Sequence, residues 1–446
     1  KIAQAQLAAC TDHKIGVGKS GGVELRFESL LVDLIRLEVA PSHLLGKSPG
    51  RPSNLLAGAI GERQVQDHAA VFLRALDEKG EALLDLLGQS LDFTTVGQAN
   101  PILNMASFVT TVMDEECDRL IGENLGVNYI DTEVYRANSE IQQRCVAILN
   151  GLCSAPDVNK AWGTECVGSS EAVMLAILAH KRAWQEKRKA EGKPYDNPNI
   201  VMGNDVHLVW NKGSIYFEIE QRLIPLHPEK YTITVDEVMK RVDENTICVV
   251  GVLGTSYTFQ YDPIEEINNA LVELKNQKGL DIPLHVDGAS GAMIAPFLNP
   301  EIKWDFQLEQ VKTINISGHK YGLVYPGIGW ALWRDEQDIP KSLVTETNVL
   351  GFLEKSFSLN FSRGGAMIIA QYYNFLRLGR EGYTKIQHAM RENARYLANG
   401  IRDIGKFELV NDGTYTPSCC ATLKDESRFT AADLVKVLAQ KGWIIP

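Results

Sequence analysis

The sequence predicts an α/β protein: a large domain on a mostly parallel sheet, followed by a small C-terminal α+β domain. Three observations carry this. From about residue 140, strand patterns alternate with helix patterns, which points to strand–helix–strand units. The strand candidates are short, apolar and rich in β-branched residues, Ile247–Leu253 most clearly, as strands covered on both faces require. Beyond about residue 380 the order changes to a long helix, two strands and a helix.

Taken in order, residues 1–100 differ in texture from the rest. Loops containing glycine (16–22 and 46–50) alternate with helical stripes, one formed by Val65, Ala69, Phe72, Leu73 and Leu76, another by Leu30, Leu31, Leu34 and Ile35. Gly16-Val17-Gly18-Lys19-Ser20 is close to a phosphate-binding loop, but position 13 is His where that motif needs Gly, so it reads as an ordinary loop. Ser169–Gly192 is a helix with an apolar first half and a basic, solvated second half, in which His180-Lys181 falls. Asn199–Met202 and Ile247–Leu253 are strands. Pro263–Gly279 is an amphipathic helix, proline at its start and glycine at its end. Leu284–Asp287, Thr313–Ile316 and Ile328–Trp333 are further strands. Gly365–Leu378 and Thr384–Ile404 are long helices, and Phe407–Val410, Cys419–Leu423 and a helix over Thr430–Gly442 form the small domain. The expected divisions are 1–100, 101–380 and 381–446.

The chain has 446 residues, enough for two or three domains. A hydrophobic share of 45% and a charged share of 23% exclude disorder as the dominant state. The net charge of −11 disfavours nucleic acid or an anionic membrane as the main partner. No apolar run approaches the roughly 18–20 residues that span a bilayer. The N-terminus shows no signal pattern, and position 1 is Lys. The eight cysteines are scattered without metal-ligand spacing, so no metal is expected and a reducing cytoplasm fits best.

Three segments carry chemistry in combination. Gly168-Ser169-Ser170-Glu171 opens a helix with two hydroxyls, where first-turn amides and the helix dipole favour a phosphate. Taken alone it is an ordinary helix cap. His285-Val286-Asp287-Gly288-Ala289 ends a strand on an acid, and ligands of open α/β sheets bind beyond the carboxyl ends of strands. Taken alone it is a turn. Ser317-Gly318-His319-Lys320-Tyr321-Gly322 puts a lysine beyond a strand end, where partial burial makes the amine nucleophilic. Most lysines are surface residues, and the His-Lys dipeptide also occurs at His13-Lys14. Together, a phosphate site, a carboxylate and a lysine are what pyridoxal phosphate needs: amides and hydroxyls for the phosphate, an acid for the pyridine nitrogen, an amine for the aldehyde.

These segments resemble the cofactor motifs of the group II pyridoxal-phosphate-dependent amino-acid decarboxylases. From about Asn104 to Pro446 the chain is similar to the glutamate decarboxylases among them, through Asn104–Thr111, Gly168–Ala172, Arg188–Pro194, Asp243–Ile247, Ser317–Tyr325 and Leu376–Gly379. The resemblance implies the aspartate aminotransferase-like fold type I and decarboxylation of L-glutamate to 4-aminobutanoate and carbon dioxide. Lys320 would carry the cofactor as a Schiff base. Ser169, Ser170 and His319 would contribute to its phosphate end, Ser317 would also bind the cofactor, and Ser256 would lie close to it. Asp287 would bind the pyridine nitrogen, with Ala289 on one ring face and His207 on the other. Ser362 would reach a phosphate in a neighbouring subunit. Ser107, Phe108 and Asp131 would receive the distal carboxylate of glutamate across a subunit boundary, in a homodimer or hexamer. An Asp beside a carboxylate requires one of the two to be protonated, which gives acid-favoured activity a rationale.

The sequence also departs from that family. Residues 1–95 do not match the expected N-terminal segment, Arg136 replaces a usual Pro, Gly288 a usual Ala, and His207 a usual Gln. His207 is the residue of the aromatic-acid relatives. The family continues past the segment matching Gly442–Pro446, so the small domain is expected to be incomplete and to lack an Arg that binds the substrate α-carboxylate. The alternatives are therefore a decarboxylase of aspartate, cysteine sulfinate or an aromatic amino acid, or a cofactor-binding relative impaired in turnover.

Overall fold

The computed structural model describes residues 105, 112–129, 134–160, 162–227, 230–347 and 354–445. The described residues divide into two compact units: one of those in 110–395 with Asn411–Cys419, and one of Tyr396–Val410 with those in 420–445. The helical stripes and loops expected before residue 100 lie outside the described residues.

The larger unit begins with α1 (Glu115–Glu123), capped by the Asp114 side chain, and α2 (Arg136–Leu152). Strand β1 (Trp162–Cys166) leads directly into α3 (Ser169–Ala190). Then come β2 (Asn199–Gly203), α4 (Leu208–Tyr216), β3 (Glu220–Ile224), α5 (Val235–Met239) and β4 (Thr246–Val252). They are followed by α6 (Ile264–Lys278), β5 (Leu284–Asp287), the short α7 (Ala295–Leu298), β6 (Val311–Ser317) and β7 (Gly329–Trp333). Helix α6 ends as its sequence dictates, on Gly279 in the left-handed conformation (φ 68°), which a Cβ would disfavour. Strands β8 (Thr345–Thr347) and β9 (Glu354–Ser356) form a small antiparallel pair. Helix α8 (Ala366–Asp403) is interrupted at Gly379 (φ 55°, ψ −172°), so the two long helices expected on either side of Gly379 are present, joined by one non-helical residue.

The sheet runs β1-β7-β6-β5-β4-β2-β3. Only β7 opposes its neighbours; the other pairings are parallel. The α/β architecture on a mostly parallel sheet is therefore as the sequence predicts. Strands β1, β3, β8 and β9, and helices α1, α2, α4, α5 and α7, were not anticipated.

Apart from the edge strand β3, the sheet is buried on both faces, but the faces differ. On one, Val201, Val249, Leu284, Val286, Ile314 and Ile316 join a large apolar core. On the other, Ile200, Met202, Cys248, Val250 and Val252 pack against Val173, Ile177 and Trp210 of α3 and α4. The central strands on this second face present His285, Asp287, Thr313 and Asn315, all buried. Period-two alternation makes this stripe continuous. The expectation that His180 sits in a solvated half-helix is corrected here: His180 is buried, 6% exposed. The buried stripe of α3 runs on through Ile177, His180 and Trp184 at helical spacing, and Arg182 and Ala183 between them face water.

In the second unit, β10 (Phe407–Asn411) and β11 (Cys420–Leu423) pair, and α9 (Ala431–Ala439) opens with a capping box between Thr430 and Asp433. It ends three residues before the expected Gly442. Among the described residues no helix is long and apolar enough to cross a membrane.

One buried pair makes a stability prediction. Asp205 and Asp262, each 5% exposed, lie in the loops after β2 and β4. Asp262 accepts the amides of Ile233 and Val252, whereas among the described residues Asp205 has no partner beyond its own amide. Burial raises Asp205 to about 6, and burial with the nearby Asp205 raises Asp262 to about 7. The folded chain thus holds more protons than the unfolded one between about pH 4 and pH 7, and stability falls as pH rises through that window. Asp205→Asn is expected to stabilise the fold by about 1–3 kcal/mol at pH 8, to change it little at pH 4.5, and to flatten the dependence between them, read by denaturant unfolding.

Candidate active site

Five of the co-directional strands release their carboxyl ends on one edge of the sheet. From β1 comes the turn into α3, from β2 the segment to His207, from β4 the loop with Ser256. From β5 come Asp287 and Ala289, and from β6 come Ser317, His319 and Lys320. That edge is where an open α/β sheet binds ligands.

Asp287 is its best-defined member. Its Oδ2 accepts the indole N–H of Trp210 at 2.8 Å. Its Oδ1 accepts the Asn315 amide at 3.0 Å and the Ala289 backbone amide at 3.1 Å. Neither the indole nor the backbone amide can accept, so the geometry suits an acceptor-only carboxylate.

Lys320 points its Nζ towards Ser290 Oγ at 3.4 Å. Burial holds its amine below the ordinary lysine range, with Asp287 opposing that shift. Its backbone is fixed from α8: Gln371 and Tyr383 both bond the Gly322 carbonyl, at 3.3 and 2.9 Å, and Asn374 bonds the Leu323 carbonyl. Gly318 permits this close passage, since a Cβ there would stand 2.5 Å from Gln371 Oε1.

His207 caps α4, its Nδ1 accepting the Val209 amide at 3.2 Å. Burial lowers its pKa; Asp287 opposes that shift and Lys320 adds to it, so the ring senses both groups. Ser169 and Ser170 are the first two residues of α3, and Ser169 Oγ receives the Asn315 amide at 2.9 Å. The turn before them packs so closely on β7 that a Cβ on Gly329 would lie 2.4 Å from the Gly168 carbonyl carbon and 2.7 Å from the Ser169 amide nitrogen. The Ser317 amide bonds the Ala289 carbonyl at 3.2 Å, which ties the β5 and β6 exits together.

Ser256 is exposed on the β4 loop. Ser362 is exposed on a separate segment, where its Oγ accepts from Asn128 at 3.3 Å. The adjacent Arg363 anchors that segment through an ion pair with buried Glu165 and by lying 4.9 Å from the Tyr129 ring centre. Ser107, Phe108 and Asp131 lie outside the described residues.

The donor set fits pyridoxal phosphate. His319 Nδ1 is buried and has no hydrogen-bond partner among the described residues, which leaves it open to a bound group. The hydroxyls and amides at the start of α3, the Lys320 amine and the Asp287 carboxylate supply the remaining contacts at one edge. Trp210 and Asn315 were not singled out from sequence, and His285, Ser290 and Thr313, though they fall in segments read there, were given no role. The signal existed in two strands that alternate polar with apolar: His285 and Asp287 between Leu284 and Val286, Thr313 and Asn315 between Ile314 and Ile316.

The pyridoxal-dependent decarboxylase conserved domain matches residues 98–424. Glutamate decarboxylase 5 of Arabidopsis thaliana is 47% identical over 349 residues, 78% of this chain and 71% of that protein. The glutamate decarboxylase of Aliivibrio fischeri is 44% identical over 345 residues, 77% of this chain and 74% of its own. Among solved structures, a glutamate decarboxylase of Lactobacillus brevis superposes with a TM-score of 0.76 at 37% identity, covering 90% of this chain and 86% of that one.

Proposed function

The chain belongs to the pyridoxal-dependent decarboxylase family and is a glutamate decarboxylase of fold type I, and we propose that Lys320, Asp287 and the start of α3 are the parts that carry its chemistry. It uses pyridoxal phosphate to convert glutamate to 4-aminobutanoate and carbon dioxide. The observation that carries the assignment of residues is the meeting of a buried lysine, a triply bonded carboxylate and a helix N-terminus at one sheet edge.

In this reading Lys320 is the attachment residue, and burial, which lowers its amine below the ordinary lysine range, favours the nucleophilic form. Ser169, Ser170, Ser317 and His319 hold the phosphate end, with Ser256 beside it. Asp287 keeps a proton on the ring nitrogen, while His207 and Ala289 flank the ring. The cofactor, when bound, supplies a sink for the electron pair left at Cα as carbon dioxide departs. A proton delivered to Cα completes the product, and the Lys320 Nζ is the buried amine placed to move protons there. Ser107, Phe108 and Asp131 receive the distal carboxylate of the substrate.

We extend the proposal to a homo-oligomer, dimer or hexamer, in which Ser362 and the distal-carboxylate residues serve a neighbouring subunit's site. Support comes from the exposure of Ser362 beside Phe361, which is 64% exposed. A cytoplasmic setting is also proposed, supported by the buried free thiols of the described cysteines. Neither membrane nor nucleic acid is part of this reading, in keeping with the acidic charge.

The test is carbon dioxide release across glutamate, aspartate, cysteine sulfinate and aromatic amino acids. Glutamate is expected to exceed the others by at least about tenfold in kcat/KM, a difference of about 1.4 kcal/mol. Preference for an aromatic acid would assign His207 its other role and overturn the reading.

A further inference from the structure

Behind Asp287 the polar stripe of the sheet forms a continuous hydrogen-bonded chain. Asn315 Nδ2 lies 3.0 Å from Asp287 Oδ1, and Asn315 Oδ1 lies 2.8 Å from His285 Nε2. His285 Nδ1 lies 2.6 Å from Thr313 Oγ1, which lies 2.7 Å from His180 Nε2. Trp210 packs across the His285 ring, centres 4.8 Å apart, and donates to Asp287 from the other side. All these groups are buried.

Donor and acceptor bookkeeping gives the chain one direction. The carboxylate accepts, so Asn315 must turn its nitrogen to it and its oxygen to His285. His285 must then donate from Nε2. A neutral imidazole has one N–H, so its Nδ1 accepts, and only the Thr313 hydroxyl can donate there. Thr313 has then spent its proton, and its oxygen receives the N–H of His180. Burial supports the neutral state of both rings, lowering His285 to about 4 and His180 to about 3. Asn315 has a second N–H, which goes to Ser169 Oγ at 2.9 Å. That leaves the Ser169 proton for an acceptor at the start of α3.

We infer that Asn315 is a positioning residue that couples the two ends of the cofactor site, and that His180, Thr313 and His285 form a one-way relay fixing its amide. One amide orients both the Asp287 carboxylate and the Ser169 hydroxyl. Reversing the relay would turn the Asn315 oxygen onto the Asp287 carboxylate, acceptor against acceptor, and would force Ser169 to donate inward instead of to the phosphate. The inference rests on the assignment of Asp287 to the ring nitrogen, but its proton directions are properties of the protein alone.

The experiment has two arms. Nitrogen NMR of the full-length, cofactor-loaded wild-type enzyme reads the histidine tautomers. His285 and His180 are each expected protonated on Nε2 and bare on Nδ1; a His285 protonated on Nδ1 overturns the relay whatever the activity. In the second arm, Thr313→Val is expected to lower kcat about five- to tenfold, the equivalent of one hydrogen bond. It should raise the pyridoxal phosphate dissociation constant several-fold with KM for glutamate within about twofold, while Thr313→Ser restores both. Wild-type values in Thr313→Val, or no restoration by Thr313→Ser, overturn the inference. If Thr313→Val does not fold, the tautomers and Thr313→Ser decide it. Failure of the Asp287 assignment would show separately, as wild-type kcat in Asp287→Asn with the tautomers intact.

Discussion

Lys320→Ala is expected to abolish carbon dioxide release from glutamate, by at least about a thousandfold, because the amine we propose as the cofactor's attachment point has no substitute among the groups assembled at the sheet edge. The protein should still fold. Among the described residues the Lys320 side chain makes one hydrogen bond, to Ser290, whereas the loop that carries it is tied to α8 by Gln371, Asn374 and Tyr383. The loss should therefore be chemical, not structural. The check is a coupled measurement of carbon dioxide and 4-aminobutanoate, together with unfolding of the variant and the visible band of lysine-linked cofactor, which should vanish. A variant that kept a tenth of the wild-type rate would mean that a different amine does this work.

The second largest effect is expected at Asp287. The Asn variant preserves volume, so packing against Trp210 is retained. It removes the charge that, in the proposed reading, holds a proton on the ring nitrogen, and it places an amide N–H₂ opposite N–H donors. Turned one way it faces the Trp210 indole, now 2.8 Å from Oδ2; turned the other, it faces Asn315 and the Ala289 amide, at 3.0 and 3.1 Å from Oδ1. Loss of one preorganised electrostatic partner of the reacting system costs about 10²–10³ in kcat. KM for glutamate should change far less, because the substrate is held by other groups. Steady-state kinetics with kcat and KM resolved separately is the measurement. Equal loss in Asp287→Ala would attribute the effect to charge and hydrogen bonding jointly, whereas a fully active Asn variant would remove Asp287 from the mechanism.

Most of the fold was legible because its signals are local. Apolar runs such as Ile247–Leu253 read as buried strands because both faces are covered, and the Pro263/Gly279 pair bounded α6 within a residue at each end. Strand β1 was not legible, since Trp162-Gly163-Thr164-Glu165-Cys166 mixes residue types; its burial is decided by β7 beside it and by Arg363 neutralising Glu165. His180 was misplaced for a similar reason. A histidine beside lysine and arginine reads as solvated, and only the rotation of α3 against the sheet turns it onto Thr313.

By itself the sequence determined the layered α/β class, the resemblance to the pyridoxal-phosphate decarboxylases, and the three segments that meet at the site. Each is a short-range property: periodicity, turn residues, or a motif read in one stretch of chain. The tertiary structure alone decided which polar groups face one another. Trp210, Asp287 and Asn315 come from three elements, and their contact depends on strand order and register, with Asp287 paired opposite Asn315. Hydrogen bonds act over about 3 Å, so a network between residues far apart in the chain exists only once the sheet has fixed its strands side by side.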